Sequence, residues 1–376
     1  MRAGCPVEPP SGPATGRDAR PAATRSAASR LHQDTNRPMA SEPASGPTRT
    51  PPPDPAAAST AARSAGPHRI AIVGFGKIAQ DQHVPAIRTN PAFELVAVVS
   101  RSGAPPEGVG RVFATHAEML AAMPEIDAVA ICTPPSVRHA IARDVLAAGR
   151  HALLEKPPAA TLSELVDLQA AARRADRVVY ATWHAQHAPG VERARAALAG
   201  QPVRRLAVTW KEDVRRWHPG QDWVFEAGGF GVFDPGINAL SICTRILPEP
   251  LFVTRAELAF PANRDAPIAA RLALSCGRPD EDMAAEFDWR QAGEQTWQIE
   301  VDTASGLRLA LRAGGARLEI DGQVVLDEPM AEYPGIYAEF DALLRAGRGA
   351  VDDAPFRLLA DAFMIGRRVQ VEPFEF

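Results

Sequence analysis

Three groups of residues in this chain could do chemistry. The first centres on Lys156, in His151-Ala-Leu-Leu-Glu155-Lys156-Pro157-Pro158. Its amine follows a short apolar run and precedes a proline whose ring fixes the direction in which the chain leaves. An amine held in this way could act as a base or a proton relay. The second group is Asp234 and Asn238, in Asp234-Pro-Gly-Ile-Asn238. Four residues apart, they share one helix face. Asn238 cannot accept a proton at neutral pH, so it could orient a substrate hydroxyl but not deprotonate it. No histidine stands in that helix, so Lys156 and Asp234 are the ionisable groups that these two motifs offer for acid–base work. Capping competes for Asp234, because Asp followed by Pro at a helix start is an ordinary cap-and-first-turn pattern. The third group is the GxGxxA turn Gly74-Phe-Gly76-Lys77-Ile78-Ala79. Here Gly74 permits a tight turn, Gly76 lets the backbone approach a pyrophosphate, and Ala79 allows close helix packing, with the amides of the helix start attracting the anion.

Each group needs an element to position it. The run Arg69 to Gly74 reads as a buried parallel strand, followed by a helix through Ile87 and a second strand from Glu94 to Ser100. That makes one βαβ unit and gives the glycine turn the context of a dinucleotide site. The alternation continues with a strand at 128–133, a helix at 136–148, a strand at 151–155, a helix at 163–175 and a strand at 178–183. It predicts a doubly wound parallel sheet, with Lys156 and Thr133-Pro134 at the carboxyl ends of its strands, where such sheets bind ligands. After Gly200 the pattern changes. A long strand at 204–214 and one helix at 234–247 precede strands at about 251–258, 269–276, 283–290, 296–302, 306–312 and 316–320. Turn residues separate the later ones, as in a mostly antiparallel open sheet. Helices at 335–346 and 356–369 follow. The predicted fold class is α/β: a Rossmann domain over 67–185 and an α+β domain over 186–376, whose final helices could pack back on the first.

Composition narrows the function. The chain has 376 residues with a formal net charge of −4. Residues 1–66 hold twelve prolines, fifteen alanines and no aromatic side chain, too little apolar surface to offset chain entropy, and read as a disordered tail. The other 310 residues carry 33 basic and 40 acidic side chains, the wrong balance for a nucleic-acid partner. No stretch of 18 apolar residues offers a membrane span. The four cysteines, Cys5, Cys132, Cys243 and Cys276, stand singly without metal-ligand spacing, which predicts no structural metal and a reducing, cytoplasmic setting.

The end of the second strand reports on the dinucleotide. An NAD site usually places an acidic residue there for the ribose hydroxyls, whereas this chain has Ser100-Arg101. A hydroxyl and a guanidinium suit a 2′-phosphate, which favours NADP, with NAD as the alternative cofactor and a solvated loop as the alternative role for Arg101. All six tryptophans, Trp183, Trp210, Trp217, Trp223, Trp289 and Trp297, lie at or beyond the end of the fifth strand. Their faces suit the C–H faces of a pyranose, although core or interface packing competes for each. His184, Glu212 and Trp217 are the best placed for substrate. The competing reading of His184 is a buried ring satisfied by a backbone carbonyl, and Arg215-Arg216 reads as a solvated or salt-bridged turn rather than a phosphate site.

The GxGxxA turn, Cys132-Thr133-Pro134, Glu155-Lys156-Pro157 and the antiparallel second half together resemble the Gfo/Idh/MocA oxidoreductases, which oxidise sugar and cyclitol hydroxyls with a nicotinamide cofactor. A closer resemblance runs from about residue 69 to the end. It is carried by Gly76-Lys-Ile-Ala-Gln-Asp-Gln-His83-Val-Pro-Ala-Ile87, Lys211-Glu-Asp-Val-Arg-Arg-Trp217-His-Pro-Gly-Gln221 and Gly231-Val-Phe-Asp234-Pro-Gly-Ile-Asn238-Ala-Leu, which are similar to the L-arabinose/D-galactose 1-dehydrogenase branch. The resemblance implies oxidation of an aldose at C1 to the aldonolactone, with Lys156, Asp234 and Asn238 catalytic. It implies cofactor contacts from Gly74, Gly76, Lys77, Ile78, Ser100, Arg101, Thr133, Pro134, Glu155 and Lys156. Substrate contacts would come from His184, Glu212, Trp217, Asp234, Asn238 and Trp297, and a homo-oligomer could form through the second sheet. The alternatives are a dehydrogenase of inositol or an N-acetyl sugar, and a non-catalytic NADP-binding sensor of sugar pathways, against which the intact Lys156 and Asp234 argue.

Overall fold

A computed structural model of the chain describes residues 66–101 and 109–376. The expectation for residues 1–66 falls, apart from Gly66, outside the described residues. Within residues 68–181 the elements are β1 (His68–Val73), a π-helical turn (Ala79–His83), α1 (Val84–Thr89), β2 (Phe93–Val99), β3 (Val112–Phe113), α2 (His116–Ala122), β4 (Ala128–Ile131), α3 (Pro135–Ala147), β5 (His151–Leu154), α4 (Leu162–Ala175) and β6 (Val179–Ala181). The six strands are parallel in the order β3-β2-β1-β4-β5-β6. Chain order reverses between β1 and β4, so the Gly74 turn and the Thr133 turn leave the sheet side by side. That contact explains the first glycine. Gly74 has φ +91°, and a Cβ there would lie 2.9 Å from backbone atoms of Cys132 and Thr133.

The strands of this sheet are apolar on both faces because both are covered. Ala71, Val73, Val129 and Ile131 face α2, α3 and α4 through Met119, Val145, Leu146 and Leu168. Ile70, Ile72, Val98, Ala130 and Leu153 face α1 and a helix from far along the chain, α8 (Glu332–Ala346), through Ile87, Ile336, Tyr337 and Phe340.

The remaining elements are α5 (Val191–Leu198), β7 (Val203–Lys211), the short α6 (Val214–Trp217), α7 (Phe233–Ile246), β8 (Phe252–Pro261), β9 (Ala269–Ser275), β10 (Asp282–Asp288), β11 (Thr296–Thr303), β12 (Arg308–Arg312), β13 (Arg317–Ile320) and β14 (Gln323–Asp327), then α8, α9 (Ala354–Ile365) and β15 (Arg367–Val371). Among the described residues a nine-stranded sheet forms in the order β14-β13-β12-β11-β7-β10-β9-β8-β15. It is antiparallel except where β10 pairs with β7 and β15 with β8. The predicted helix at 356–369 is corrected here. It ends at Ile365, and after Gly366 the chain adds an edge strand to β8.

One face of this sheet packs on α7, whose Gly236 lies against the Phe287 ring, where a Cβ would meet ring atoms at 3.2 Å. The other face alternates small residues with ion pairs, including Lys211–Glu286 (2.8 Å), Arg312–Glu300 (2.9 Å) and Arg205–Asp302 (3.5 Å). Among the described residues no helix is long and apolar enough to cross a membrane, and no cluster of His, Cys, Asp and Glu could hold a metal ion.

Candidate active site

Lys156 follows β5 at the carboxyl edge of the first sheet, and its Nζ donates to the backbone oxygen of Asp234 at 2.8 Å and to its Oδ1 at 3.1 Å. Asp234 is the second residue of α7, with Val232 at the cap position and no side-chain cap bond. The capping role is therefore not taken up, and the carboxylate turns to Lys156 and His218 instead. Its Oδ2 meets Nε2 of His218 at 3.1 Å. Burial alone would raise the Asp234 pKa, but the Lys156 ammonium and His218 outweigh it and hold the carboxyl well below the usual range.

His218 is the residue that sequence reasoning missed. The helix carrying Asp234 lacks a histidine, and the segment after α6 delivers one to the same carboxylate. Its ring also stands edge-on to Trp289 at 5.2 Å. Asn238 lies one turn along α7, half-buried, with a side-chain amide that makes no hydrogen bond among the described residues.

Glu155 is buried, 3% exposed, with both oxygens engaged. Oε1 accepts from His83 Nε2 at 2.9 Å and from the Tyr333 hydroxyl at 2.7 Å, and Oε2 accepts from the Lys156 amide at 2.8 Å. The fully buried His83 comes from the π-helical turn, and its Nδ1 pairs with the Tyr337 hydroxyl at 2.7 Å. Burial opposes ionisation of Glu155, yet His83, His184 and Tyr333 overcome it and lower its pKa to about 2. His83 is the counterpart: burial would lower its pKa, but Cys132, Tyr337 and Glu155 raise it well above the usual histidine value. The two form a buried ion pair behind Lys156. These contacts were not legible in the sequence, since Tyr333 and Tyr337 sit on α8, far along the chain.

His184 is bonded to a side-chain carboxylate rather than a backbone carbonyl. Its Nδ1 lies 2.9 Å from Glu332 Oε2, and the ring stacks on Tyr333 at 5.5 Å. Burial works against its protonation, but Glu332 dominates and raises its pKa.

Glu212, Trp217 and Trp297 form a neighbouring group. Glu212 accepts from the indole N–H of Trp297 at 2.9 Å and of Trp289 at 3.1 Å. Burial pushes its pKa up, with Asp234 adding to the rise. Trp297 packs on Trp217 and Trp210 at centroid distances of 5.7 and 6.3 Å, and the Trp217 indole nitrogen is buried without a partner. Through Trp289 and His218 this aromatic wall joins the Lys156–Asp234 pair. Ser100 and Arg101 stand apart at the end of β2, Ser100 buried and Arg101 exposed. Arg215 lies in α6, where it packs over Phe374 at 4.7 Å and salt-bridges Asp213, so the segment read as a turn is a short helix.

The glycine turn fits a dinucleotide. A Cβ on Gly76 would meet no protein atom within 4 Å, so the turn leaves room beside its backbone, and Thr133 Oγ1 next to it is buried with no hydrogen-bond partner. Lys77 spends its charge on Asp81, an i,i+4 pair, and Ile78 is exposed beside it.

Comparison with known proteins agrees with this geometry. The Gfo/Idh/MocA profile, described as an oxidoreductase family with an NAD-binding Rossmann fold, matches residues 68–182. A galactose 1-dehydrogenase from Pseudomonas fluorescens is 46% identical over 314 residues, 82% of this chain and 99% of that protein. The crystal structure of a D-galactose-1-dehydrogenase from Rhizobium etli is 51% identical, with a TM-score of 0.78 over 83% of this chain and 99% of that one. A 3-ketoreductase from Actinomadura kijaniata in complex with NADP and TDP-benzene, 19% identical, shares the fold, with a TM-score of 0.70 over 81% of this chain and 100% of that one. With a NAD-binding Rossmann sheet, a lysine at its carboxyl edge and near full-length similarity to sugar dehydrogenases, this chain belongs to the Gfo/Idh/MocA oxidoreductase family.

Proposed function

We propose that the protein oxidises the C1 hydroxyl of an aldopyranose, D-galactose or L-arabinose, to the aldonolactone with NADP+ as hydride acceptor. The observation that carries this reading is the Lys156–Asp234–His218 chain, which Trp289 links to the Glu212 and tryptophan group. The two sugars share their configuration at C2 to C4, so one pocket that reads those positions accepts both.

Oxidation removes a hydride from C1 and a proton from its hydroxyl, two electrons and two protons in all. When bound, the oxidised nicotinamide accepts the hydride. The side chains must hold the sugar and take the hydroxyl proton. A carboxyl held as low as that of Asp234 is a weak acceptor, so Asp234 serves as the anionic anchor that aims Lys156 and His218 at the C1 hydroxyl. The proton is taken by His218 through its neutral ring, or by Lys156 after its ammonium has given up a proton. Asn238 and Glu212 hold ring hydroxyls, and the Trp217 and Trp297 faces cover the C–H side of the sugar. A lactone rather than a free acid follows directly from oxidation of the ring form.

Ser100 and Arg101 support NADP over NAD. Arg101→Ala should raise the KM for NADP+ by one to two orders of magnitude, roughly the 1.5–3 kcal/mol of a charge-assisted hydrogen bond, and leave NAD+ little changed. The open face of the second sheet is the surface proposed for a homo-oligomer, and light scattering of the purified protein tests it.

The deciding experiment is NADP+ reduction with a panel of D-galactose, L-arabinose, D-glucose, myo-inositol and N-acetylglucosamine. Turnover highest with D-galactose and L-arabinose, with lactone as first product, is expected. Preference for the cyclitol or the N-acetyl sugar, or no turnover with any, overturns the reading.

A further inference from the structure

We propose that Arg138 is a positioning residue for this reaction, a single buried guanidinium that holds the Lys156 turn and the Thr133–Pro134 turn in fixed relation. The inference rests on the reading of Lys156 given above. Arg138 lies in the first turn of α3 and is 3% exposed. Its Nη1 donates to the backbone oxygen of Glu155 at 2.5 Å and to that of Pro157, and its Nη2 donates to the backbone oxygen of Thr133. Glu155 and Pro157 flank Lys156, so Lys156 cannot shift along the chain without breaking one of these bonds. Thr133 closes the turn beside Gly74.

The three acceptors belong to segments leaving β4 and β5, where the ladder ends and strand pairing no longer fixes the backbone. A planar fork of donors suits three carbonyls spread over two turns, whereas a lysine ammonium at the end of a flexible stem cannot span them. Nor is the charge left without compensation. Burial lowers the Arg138 pKa to about 10, while Glu155, Cys132, Asp234 and Tyr333 act to raise it, so the group remains a cation at neutral pH.

The same arrangement states what loss of the fork should do. If the two turns slip against each other, the base and the dinucleotide lose their mutual placement, while the tryptophan wall that grips the sugar stays in place on the second sheet. Arg138→Met should therefore lower kcat by about 10- to 100-fold, the scale of a sub-ångström to 1 Å misplacement. It should weaken dinucleotide affinity by about tenfold, read by fluorescence titration. The sugar KM should stay within about threefold, because ground-state contacts to the sugar are untouched. Arg138→Lys keeps a buried cation without the fork and should recover little of either loss. Guanidinium ion at millimolar concentration should restore part of the turnover of Arg138→Ala.

Wild-type kcat and dinucleotide affinity in Arg138→Lys would overturn the proposal. So would a lowered Tm in Arg138→Met with kcat per folded molecule and affinity unchanged, which would make the residue structural only. If Arg138→Met fails to fold, Arg138→Lys and guanidinium rescue decide between fork and charge. If the wild type turns over no aldose, the proposed reaction fails, and the dinucleotide titration still decides the role of Arg138.

Discussion

At the residue scale the site turns on a carboxylate that holds two nitrogen groups. Because the Asp234 carboxyl lies well below the usual range, it stays ionised as pH falls through the ordinary carboxylate region. An acid limb in kcat/KM above about pH 5 would therefore not report Asp234. Asp234→Asn should lower kcat by about 10² to 10⁴, the usual size of acid–base terms, with NADP+ affinity within a few fold. Because Asp234 does not cap α7, the loss should come from chemistry, and a thermal melt within a few degrees of wild type checks that. Turnover near wild type in Asp234→Asn would remove the anchor from the mechanism. His218→Gln should lower kcat by about 10² or more if the ring is the proton acceptor, whereas turnover near wild type assigns that role to Lys156. Lys156 and Asp234 were legible in the sequence because each sits in a local motif, a strand end before proline and the start of a helix. His218 was not, because its meeting with Asp234 is made by the path of the loop after α6, and no spacing rule joins the two.

At the scale of elements, the apolar runs gave away most strands and helices, since burial on both faces or on one writes a run or an alternation into the chain. What they could not show is contact between distant elements. The π-helical turn stands where a simple helix was expected, and it carries His83 to Glu155, 72 positions away, while Tyr333 reaches the same carboxylate from 178 away. The segment after Gly366 was misread because five residues of Arg, Val and Gln continue a helical pattern about as well as they form an edge strand.

The buried pair makes a prediction about pH. The Glu155 pKa is lowered from 4.5 to about 2, so its contribution to stability is present above pH 4.5 and is lost as pH falls toward 2. That of His83 is raised, so its contribution is present below pH 6.5 and is lost as pH rises through its folded value. Both contributions are complete between about pH 4.5 and 6.5. In urea melts within that window, Glu155→Gln should cost about 3–5 kcal/mol, the loss expected when one partner of a buried pair is removed. The difference from wild type should shrink on the acid side as Glu155 itself becomes protonated. A pH-independent difference would assign the loss to packing instead.

At the scale of the whole molecule, α8 matters most. It covers one face of the first sheet, so the apparent division of the chain at about residue 185 does not yield a self-sufficient first half. A fragment of residues 66–185 would expose Ile70, Ile72, Val98 and Leu153 together with Tyr180. It should bind an apolar dye and lack the sharp melt of the whole chain. A fragment with a cooperative unfolding transition and no dye binding would show that the first sheet is complete without α8. The same helix supplies Glu332 to His184 and Tyr333 to Glu155, so the cover of the core and the wall of the site are one element. This has a consequence for synthesis. On the ribosome the strands of the first sheet emerge long before α8 does. At ~5–20 residues per second, roughly 10–30 s separate the two, during which the open apolar face must be shielded or left loosely packed. The reaction site, too, is finished only when this late helix docks. A nascent chain stalled before residue 332 therefore carries the glycine turn, Lys156, Asp234, His218 and the His83–Glu155 pair but lacks Glu332, Tyr333 and Tyr337, which hold His184, Glu155 and His83.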